Sequence, residues 1–158
     1  MHVPVVIVGS GPAGLLLSHL LHVQGIESII LERKSRDYVE GRIRAGVLEM
    51  GTVDLMKRVG VDARMNKEGI IHGGIYISVN GKRTHVNIEE LTGGSTVMVY
   101  GQTEVTKDLI QARLDHGGEI IFEAEDVSLH DINGDTPSVR YVKDGNALEL
   151  TCDYIAAC

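Results

Sequence analysis

Residues 5–14 read Val-Val-Ile-Val-Gly-Ser-Gly-Pro-Ala-Gly, an apolar run that leads directly into a glycine-rich turn. The apolar run predicts a buried β-strand. Gly9 allows the chain to turn tightly after the strand, and Gly11 allows the backbone to come close to a bound group without a clashing Cβ. Gly14 allows the next helix to pack close to the sheet. The stretch therefore predicts the first strand, turn and helix of an α/β fold.

A second apolar strand, residues 28–31, ends on Glu32, and the roughly twenty residues that separate it from the turn are typical of a ribose-binding carboxylate. The helix between them begins at Pro12, carries a stripe of leucines and ends at Gly25. Its amino terminus offers N–H groups and partial positive charge to phosphates. The pattern predicts a dinucleotide site, with a glycine turn in an unrelated α/β unit as the alternative. The residues that the pattern predicts for this site are Gly9, Gly11, Gly14 and Glu32.

The composition is that of an ordinary globular chain. Its length of 158 residues predicts one domain, or one domain and part of another. The net charge of -7 argues against a nucleic-acid or anionic-membrane surface. No apolar run approaches the roughly 20 residues that span a bilayer, and the first apolar run is a strand rather than a signal peptide. We therefore expect a cytoplasmic protein without a membrane or nucleic-acid partner.

No residue pattern predicts a metal site. His19 and His22 lie on the first helix without a third ligand nearby in the sequence. Cys152 and Cys158 also lack the partner residues of a zinc site. We interpret these two cysteines as buried, reduced thiols in a terminal strand.

A locally basic segment, residues 33–44, follows the second strand. In an extended conformation Arg42 and Arg44 project to the same side of the chain. Two guanidinium groups aimed one way suit phosphate recognition, and the segment lies next to the predicted dinucleotide site. A solvated loop whose charges pair with Asp37 and Glu40 is the alternative.

Downstream of the basic segment, the pattern alternates between helices, strands and glycine turns. Helices are predicted over residues 46–60, 62–67 and 103–116. Strands are predicted over residues 70–79 and 82–88 around the Asn80-Gly81 turn, and over residues 96–100, 119–122, 127–132, 138–142, 148–151 and 153–157.

Residues 38–49, Tyr-Val-Glu-Gly-Arg-Ile-Arg-Ala-Gly-Val-Leu-Glu, carry a resemblance to a known family. The chain resembles the N-terminal part of the 4-hydroxybenzoate 3-monooxygenases, or p-hydroxybenzoate hydroxylases, of the class A flavoprotein monooxygenase family. The match continues through residues 99–106, Val-Tyr-Gly-Gln-Thr-Glu-Val-Thr, and residues 129–131, Leu-His-Asp, to residues 152–156, Cys-Asp-Tyr-Ile-Ala. It spans essentially the whole chain.

The resemblance implies a Rossmann-like FAD-binding fold with a parallel sheet and added antiparallel β-hairpins. Residues 1–158 would form the N-terminal part of the FAD-binding domain, and residues 70–98 would belong to the substrate-domain sheet or border it. Members of the family are much longer, so the fold would be incomplete here. The segments expected beyond Cys158 are an Asp-Gly motif, a later Gly-Asp motif, the substrate-binding segment and the terminal parallel strand of the sheet. Absence of that strand would leave apolar surface and an open sheet edge.

The resemblance also implies the cofactors. FAD would be the dinucleotide, with its pyrophosphate in the glycine turn and its adenosine ribose on Glu32. The stretch after Glu32 is implicated in pyridine nucleotide binding in this family, and its cations favour NADPH, which carries an extra phosphate. Beyond the glycines of the turn and Glu32, the cofactor-binding residues implied in this way are Pro12, Ala13, Arg33, Lys34, Tyr38, Arg42, Ile43, Arg44, Ala45, Gly46, Val47 and Gln102.

The reaction implied is hydroxylation of 4-hydroxybenzoate to 3,4-dihydroxybenzoate with NADPH and dioxygen, through a flavin hydroperoxide. The groups that bind the substrate carboxylate and activate the phenol would lie beyond this sequence, so no catalytic side chain is nominated. We expect the isolated chain to bind FAD weakly and not to hydroxylate. Because dimers are common in the family, a homodimer is one candidate assembly of the full-length form.

Three alternatives stay open from the sequence. The first is a related flavoprotein hydroxylase that acts on another phenol. The second is a dinucleotide-binding module without catalysis. The third is an NAD-dependent dehydrogenase, which would hold a nicotinamide cofactor and would lack the colour of a flavoprotein.

Overall fold

The computed structural model describes residues 1–158, which form two compact units: residues 1–42 with 106–158, and residues 43–105. Its elements in chain order are β1 (His2–Val8), α1 (Pro12–Val23), β2 (Ser28–Glu32), α2 (Arg36–Gly41), β3 (Val47–Glu49), α3 (Met50–Arg58), α4 (Ala63–Glu68), β4 (Ile70–His72), β5 (Gly74–Val79), β6 (Lys82–Asn87), α5 (Ile88–Thr92), β7 (Val97–Val99), α6 (Gln102–Asp115), β8 (Glu119–Phe122), β9 (Glu125–His130), β10 (Ser138–Lys143) and β11 (Asn146–Ala157).

The first unit is built on a six-stranded sheet with the strand order β8-β2-β1-β11-β10-β9. The strands β8, β2, β1 and β11 run parallel, and β10 and β9 extend the sheet in antiparallel fashion. The first half of β11 pairs with β10, and the second half pairs with β1. The predicted α/β fold, with a parallel sheet and added antiparallel strands, is confirmed.

The two faces of this sheet bury different sets of side chains, because successive residues of a strand point to opposite faces. Ile7 faces α1, since a Cβ on Gly14 would lie 3.1 Å from Ile7 Cγ2. Val6, the preceding residue, belongs to an apolar cluster with Tyr141 of β10 and Leu150 of β11. The antiparallel strands therefore supply part of the core, not only an extension of the sheet edge.

Buried polar groups tie α1, α6 and β2 together in the first unit. His19 Nε2 lies 2.8 Å from the Leu109 carbonyl oxygen, and Ser18 and Ser28 share a hydrogen bond of 3.0 Å between their hydroxyls. Arg113 Nη2 donates to the Ser28 carbonyl oxygen at 2.7 Å. Burial lowers the pKa of His19, which stays neutral in this contact. These bonds set the position of both helices against the parallel strands.

The second unit contains a three-stranded antiparallel sheet, in the order β3-β7-β4, and the separate hairpin β5-β6. Val53, Met56 and Met65 are fully buried and form the apolar sides of α3 and α4. Asn80 and Gly81 both have positive φ, at 49° and 76°. This conformation matches the two-residue hairpin turn that the Asn-Gly pair predicts.

Several boundaries differ from the sequence prediction. The helix predicted from residue 46 begins at Met50, because residues 47–49 pair with β7 as the short strand β3. The strand predicted over residues 70–79 breaks at Gly73, where a Cβ would lie 2.7 Å from Glu89 Oε2. The strands predicted over residues 148–151 and 153–157 form one continuous strand, β11.

Two short helices were not predicted. α2 lies in the basic segment, and the Ser35 hydroxyl caps it by accepting from the Tyr38 N–H at 3.3 Å. α5 follows β6, and Asn87 Oδ1 accepts from the Glu90 N–H at 3.2 Å. Both helices rest on side-chain caps rather than on an apolar stripe. None of the six α-helices has the length and apolar character that crossing a membrane would require.

Replacement of Gly14 by alanine tests the close contact between α1 and the turn after β1. The new Cβ would lie 2.2 Å from the Gly9 carbonyl oxygen, a backbone atom that cannot move aside cheaply. We expect Gly14→Ala to lower the free energy of unfolding by about 2 kcal/mol, measured by urea denaturation with far-UV circular dichroism. Gly41→Ala is the control, because Gly41 is helical and has no atom within 4 Å of its added Cβ. Equal stability of the two variants would contradict the contact.

Candidate functional site

The glycine turn between β1 and α1 leaves open space at the start of the helix. Gly9 has a φ of 114°, and a Cβ there would lie 2.3 Å from the Cys158 carbonyl oxygen. A Cβ on Gly11, in contrast, would meet no atom within 4 Å. Gly11 is also the N-cap of α1, which has no side-chain cap and no acidic residue in its first turn. The first turn of α1 therefore carries neither a capping side chain nor an acidic residue of its own, and it suits an anion.

Glu32 lies at the carboxyl end of β2, beside this turn, and the structure fixes its carboxylate. Glu32 Oε2 accepts hydrogen bonds from the Ser10 N–H at 3.0 Å and from the Ser10 hydroxyl at 2.8 Å. Glu32 Oε1 accepts from the Lys34 N–H at 2.8 Å. The structure thus brings Glu32 to the glycine turn, as predicted from the spacing. Ser10 is fully buried and was not among the predicted site residues.

These hydrogen bonds control the charge of Glu32. Partial burial alone would raise the pKa of its carboxyl group. The hydrogen bonds from the Ser10 and Lys34 N–H groups and from the Ser10 hydroxyl, together with the charge of Arg33, outweigh burial and lower the pKa below its usual value. Glu32 is therefore ionised at neutral pH, and an ionised carboxylate offers only acceptor positions to hydroxyl groups.

A cavity of about 500 Å³ opens beside Glu32, in the size range of ligand sites. It lies at the carboxyl ends of β1 and β2, where open α/β sheets bind their ligands. Part of its wall comes from residues that the sequence did not indicate. Its lining residues are Val8, Gly9, Leu31, Glu32, Arg33, Ala124, Asp126, Val127 and Cys158.

The unpredicted wall comes from Ala124, in the turn between β8 and β9, and from Asp126 and Val127 at the start of β9. Glu123 and Asp126 have positive φ, at 58° and 50°, although neither is glycine. The Glu123 N–H bonds to the Lys34 carbonyl oxygen at 3.1 Å, and the Ala124 N–H bonds to the Glu32 carbonyl oxygen at 2.9 Å. The turn is thus held against the end of β2. Residues with strained backbone of this kind cluster at functional sites.

A second cavity, of about 480 Å³, lies at the opposite, amino ends of β1 and β2. His22, Arg113 and His116 are among its lining residues, together with Glu27 and Glu119. The rings of His22 and His116 stack with their centroids 5.0 Å apart. Cations and carboxylates occur together in this cavity, and no group of three His, Cys, Asp or Glu residues is arranged to hold a metal ion.

The predicted pyridine-nucleotide residues lie on and before α2. Arg33, Lys34 and Tyr38 are exposed, and Lys34 Nζ lies 5.4 Å from the centre of the Tyr38 ring. Arg36 anchors the helix, since its Nε donates to Glu40 Oε1 at 2.5 Å and its Nη2 donates to Gln111 Oε1 at 3.2 Å. The charge pairing expected of a solvated segment is present between Arg36 and Glu40, and Arg42 follows α2 in an extended conformation.

The remaining predicted residues lie in the second unit. Residues 43–46 form an irregular segment that leads into Val47 of β3. The Tyr100 N–H bonds to the Gly46 carbonyl oxygen at 2.9 Å, and the Gln102 N–H bonds to the Ala45 carbonyl oxygen at 2.9 Å. Gln102, the first residue of α6, is therefore held directly against this segment. Ile43 is 90% exposed, and Arg44 is also exposed.

The two cysteines are free thiols, as predicted, but only Cys152 is buried. Cys158 is exposed, which corrects the prediction of two buried thiols. The reason is its position: β11 ends at Ala157, and Cys158 follows at the rim of the cavity beside Glu32.

The charge of Glu32 gives a pH-dependent test. Because the pKa of Glu32 is lower in the folded chain than in the unfolded chain, its contribution to stability is complete above the unfolded pKa of about 4.3. This contribution is lost as the pH falls through the folded pKa. We expect Glu32→Gln to lower the free energy of unfolding at pH 7 by about 1 kcal/mol, a modest value because water screens a half-buried group.

Urea denaturation at pH 7, 5, 4 and 3 measures this difference between the original chain and Glu32→Gln. The difference is expected to shrink towards the lowest pH. Glu125→Gln, at an exposed position in β9, is the control for loss of one negative charge. A difference that stays constant down to pH 3 would show that the carboxylate is not held as described.

Comparison with known proteins places this geometry in a family. A family model described as an FAD binding domain matches residues 2–158. The p-hydroxybenzoate hydroxylase of Acinetobacter baylyi is 48% identical over 158 residues, which are 100% of this chain and 39% of that relative. The chain therefore spans well under half the length of that curated relative.

Solved structures share the fold at lower sequence identity. The p-nitrophenol 4-monooxygenase PnpA from Pseudomonas putida has a TM-score of 0.80 at 21% identity, covering 99% of this chain and 40% of that one. The anhydrotetracycline hydroxylase OxyS from Streptomyces rimosus has a TM-score of 0.80 at 22% identity, covering 100% of this chain and 31% of that one. The family match over residues 2–158 agrees with the glycine turn, Glu32 and the parallel sheet, and the chain belongs to the FAD binding domain family.

Proposed function

We propose that the chain is the FAD-binding part of an NADPH-dependent flavoprotein hydroxylase, which converts 4-hydroxybenzoate to 3,4-dihydroxybenzoate with dioxygen. The observation that carries the proposal is the open, uncapped start of α1 beside the ionised carboxylate of Glu32. The 48% identity to a p-hydroxybenzoate hydroxylase supports the choice of reaction. Because the chain spans 39% of that relative, the activity is proposed for the longer protein that contains it.

The residues of the first unit fit the adenosine diphosphate half of FAD. The space in front of Gly11 has room for a pyrophosphate, and the first turn of α1 supplies N–H groups and positive potential. Glu32 accepts hydrogen bonds and so suits a ribose hydroxyl, while the cavity of about 500 Å³ offers volume beside it. When bound, FAD supplies the redox chemistry that protein side chains lack.

In the second unit, residues 43–47 and Gln102 are proposed to contact the flavin half, on the strength of the family resemblance. Backbone hydrogen bonds from Tyr100 to Gly46 and from Gln102 to Ala45 hold the segment against the start of α6. Arg64 strengthens this arrangement, because its Nη1 donates to Glu104 Oε2 and its Nη2 donates to the Glu104 carbonyl oxygen at 3.1 Å. Arg64 therefore fixes the first turn of α6, which carries Gln102.

NADPH is proposed as the reductant because exposed cations precede α2. Arg33 and Lys34 are exposed, and both attract the additional phosphate of NADPH. Tyr38 offers an exposed ring beside Lys34, suited to stacking on a base. Arg42 is proposed to belong to the same surface, since it directly follows α2 in an extended conformation.

Residues 70–98 are proposed to belong to the substrate-domain sheet of the longer protein, or to border it. Ile75, Ile77 and Val79 alternate along β5 and therefore share one face of the hairpin. This apolar face is not covered, since the three side chains are 46–60% exposed. A two-stranded hairpin is marginally stable by itself and gains stability from further strands or from packing. The substrate-binding and ring-activating groups are proposed to lie in the part of the longer protein outside this chain.

Gly11→Ala separates FAD binding from folding. The added Cβ touches no atom of the chain and therefore causes no steric loss of stability, but it projects into the space proposed for the pyrophosphate. We expect the variant to weaken FAD binding at least tenfold, measured by the fluorescence of titrated FAD. Gly41→Ala is the control, since Gly41 also has open space around its added Cβ. Equal FAD affinity of Gly11→Ala and the original chain would contradict the proposed pyrophosphate position.

The proposed reaction is tested on the longer protein. We expect 4-hydroxybenzoate to stimulate NADPH oxidation and to yield 3,4-dihydroxybenzoate, identified by chromatography. If another phenol stimulates NADPH oxidation and 4-hydroxybenzoate does not, the proposed substrate is wrong but the proposed reaction class, flavin-dependent hydroxylation, stands. A colourless protein that retains a nicotinamide cofactor would instead favour a dehydrogenase.

A further inference from the structure

The carboxylate of Glu32 has fewer free acceptor positions than a ribose needs. Glu32 Oε2 receives two donors from one residue, the Ser10 N–H at 3.0 Å and the Ser10 hydroxyl at 2.8 Å. An ionised carboxylate has about four lone-pair positions, two on each oxygen. Oε2 is therefore fully used by Ser10.

The second oxygen of Glu32 is half used. Oε1 accepts from the Lys34 N–H at 2.8 Å. This donor is a backbone group, and the Lys34 carbonyl oxygen is in turn held by the Glu123 N–H at 3.1 Å. The bond from Lys34 therefore persists whatever side chain residue 34 carries. One acceptor position remains on Glu32, on Oε1, beside the cavity.

The position of Ser10 against Glu32 Oε2 is fixed by the turn. Ser10 is 0% exposed, and it lies in the tight turn between Gly9 and Gly11, where Gly9 is in a conformation that few other residues adopt. Its N–H and its hydroxyl therefore approach Oε2 from a fixed position. The rotamer of Glu32 and the number of its free lone pairs are both set by this turn.

We propose that Ser10 limits Glu32 to a single hydroxyl of the adenosine ribose, and so makes the site depend strongly on one of the 2′- and 3′-hydroxyls and weakly on the other. The inference rests on the proposed dinucleotide site. A ribose presents both hydroxyls as donors, and a carboxylate with one free position accepts only one of them. Ser10 is a positioning and specificity-determining residue in this scheme, because it acts through Glu32.

The test compares ADP, 2′-deoxy-ADP and 3′-deoxy-ADP as probes of the 158-residue chain, with dissociation constants from titration calorimetry or NMR titration. We expect one deoxy analogue to bind about tenfold more weakly than ADP, since it loses a hydrogen bond to a charged group. The other analogue should bind within about twofold of ADP. An equal loss for both analogues would overturn the inference, because Glu32 would then serve both hydroxyls.

Ser10→Ala removes one donor from Oε2 and frees an acceptor position. We expect the ratio of the dissociation constants of the two deoxy analogues to fall from about tenfold to under about threefold. This holds even if the affinity for ADP itself changes. Ser18→Ala is the matched control, because Ser18 is an equally buried serine whose hydroxyl bonds to Ser28 and not to Glu32. A tenfold ratio that survives in Ser10→Ala would also overturn the inference. If Ser10→Ala fails to fold, the comparison on the original chain still decides.

The outcome distinguishes this inference from the proposed function. If ADP does not bind the original chain, or binds Glu32→Gln equally well, the proposed dinucleotide site itself fails. If ADP binds and depends on Glu32, but both hydroxyls count equally, only the role of Ser10 fails.

Discussion

Helix α1 can lie against the end of β1 only because residue 14 has no Cβ. Such an atom would lie 2.2 Å from the Gly9 carbonyl oxygen, so the contact is one of backbone against backbone. The position of α1 then determines where its uncapped first turn opens and where Ser10 meets Glu32. The candidate site is thus a consequence of how closely one helix approaches one strand.

The sequence predicted those elements whose pattern is local and strong. The strand β1, the helix α1 and the strand β2 follow from apolar runs and glycines, and the Asn80-Gly81 pair predicted its hairpin with the observed positive φ angles. Glu32 was placed correctly by spacing alone, since it lies at the end of β2 beside the glycine turn. The conformation of each of these features is determined by residues that lie close together in the sequence, so the sequence alone is enough to predict it.

Other features depend on contacts that no local pattern contains. α2 buries none of its residues, so no apolar periodicity marked it, and its local signals are the cap at Ser35 and the pair of Arg36 with Glu40 four residues on. The wall formed by Ala124, Asp126 and Val127 exists because the turn after β8 bonds to the end of β2. Ser10 was passed over for the same reason: its role lies in a hydrogen bond to a residue 22 positions away.

The pairing of β1 with β11 has a consequence for how the chain folds. β1 is the first strand and β11 the last, and Val8 pairs with Ala157 while the Cys158 N–H bonds to the Val8 carbonyl oxygen at 2.9 Å. Contacts between such distant residues require a long loop to close before they stabilise the sheet, which slows folding. On the ribosome, β2 is synthesised soon after β1, but nearly the whole of this sequence has to be made before the other neighbour of β1, β11, exists. The glycine turn, although encoded at the start, is among the last parts of the first unit to acquire its final surroundings.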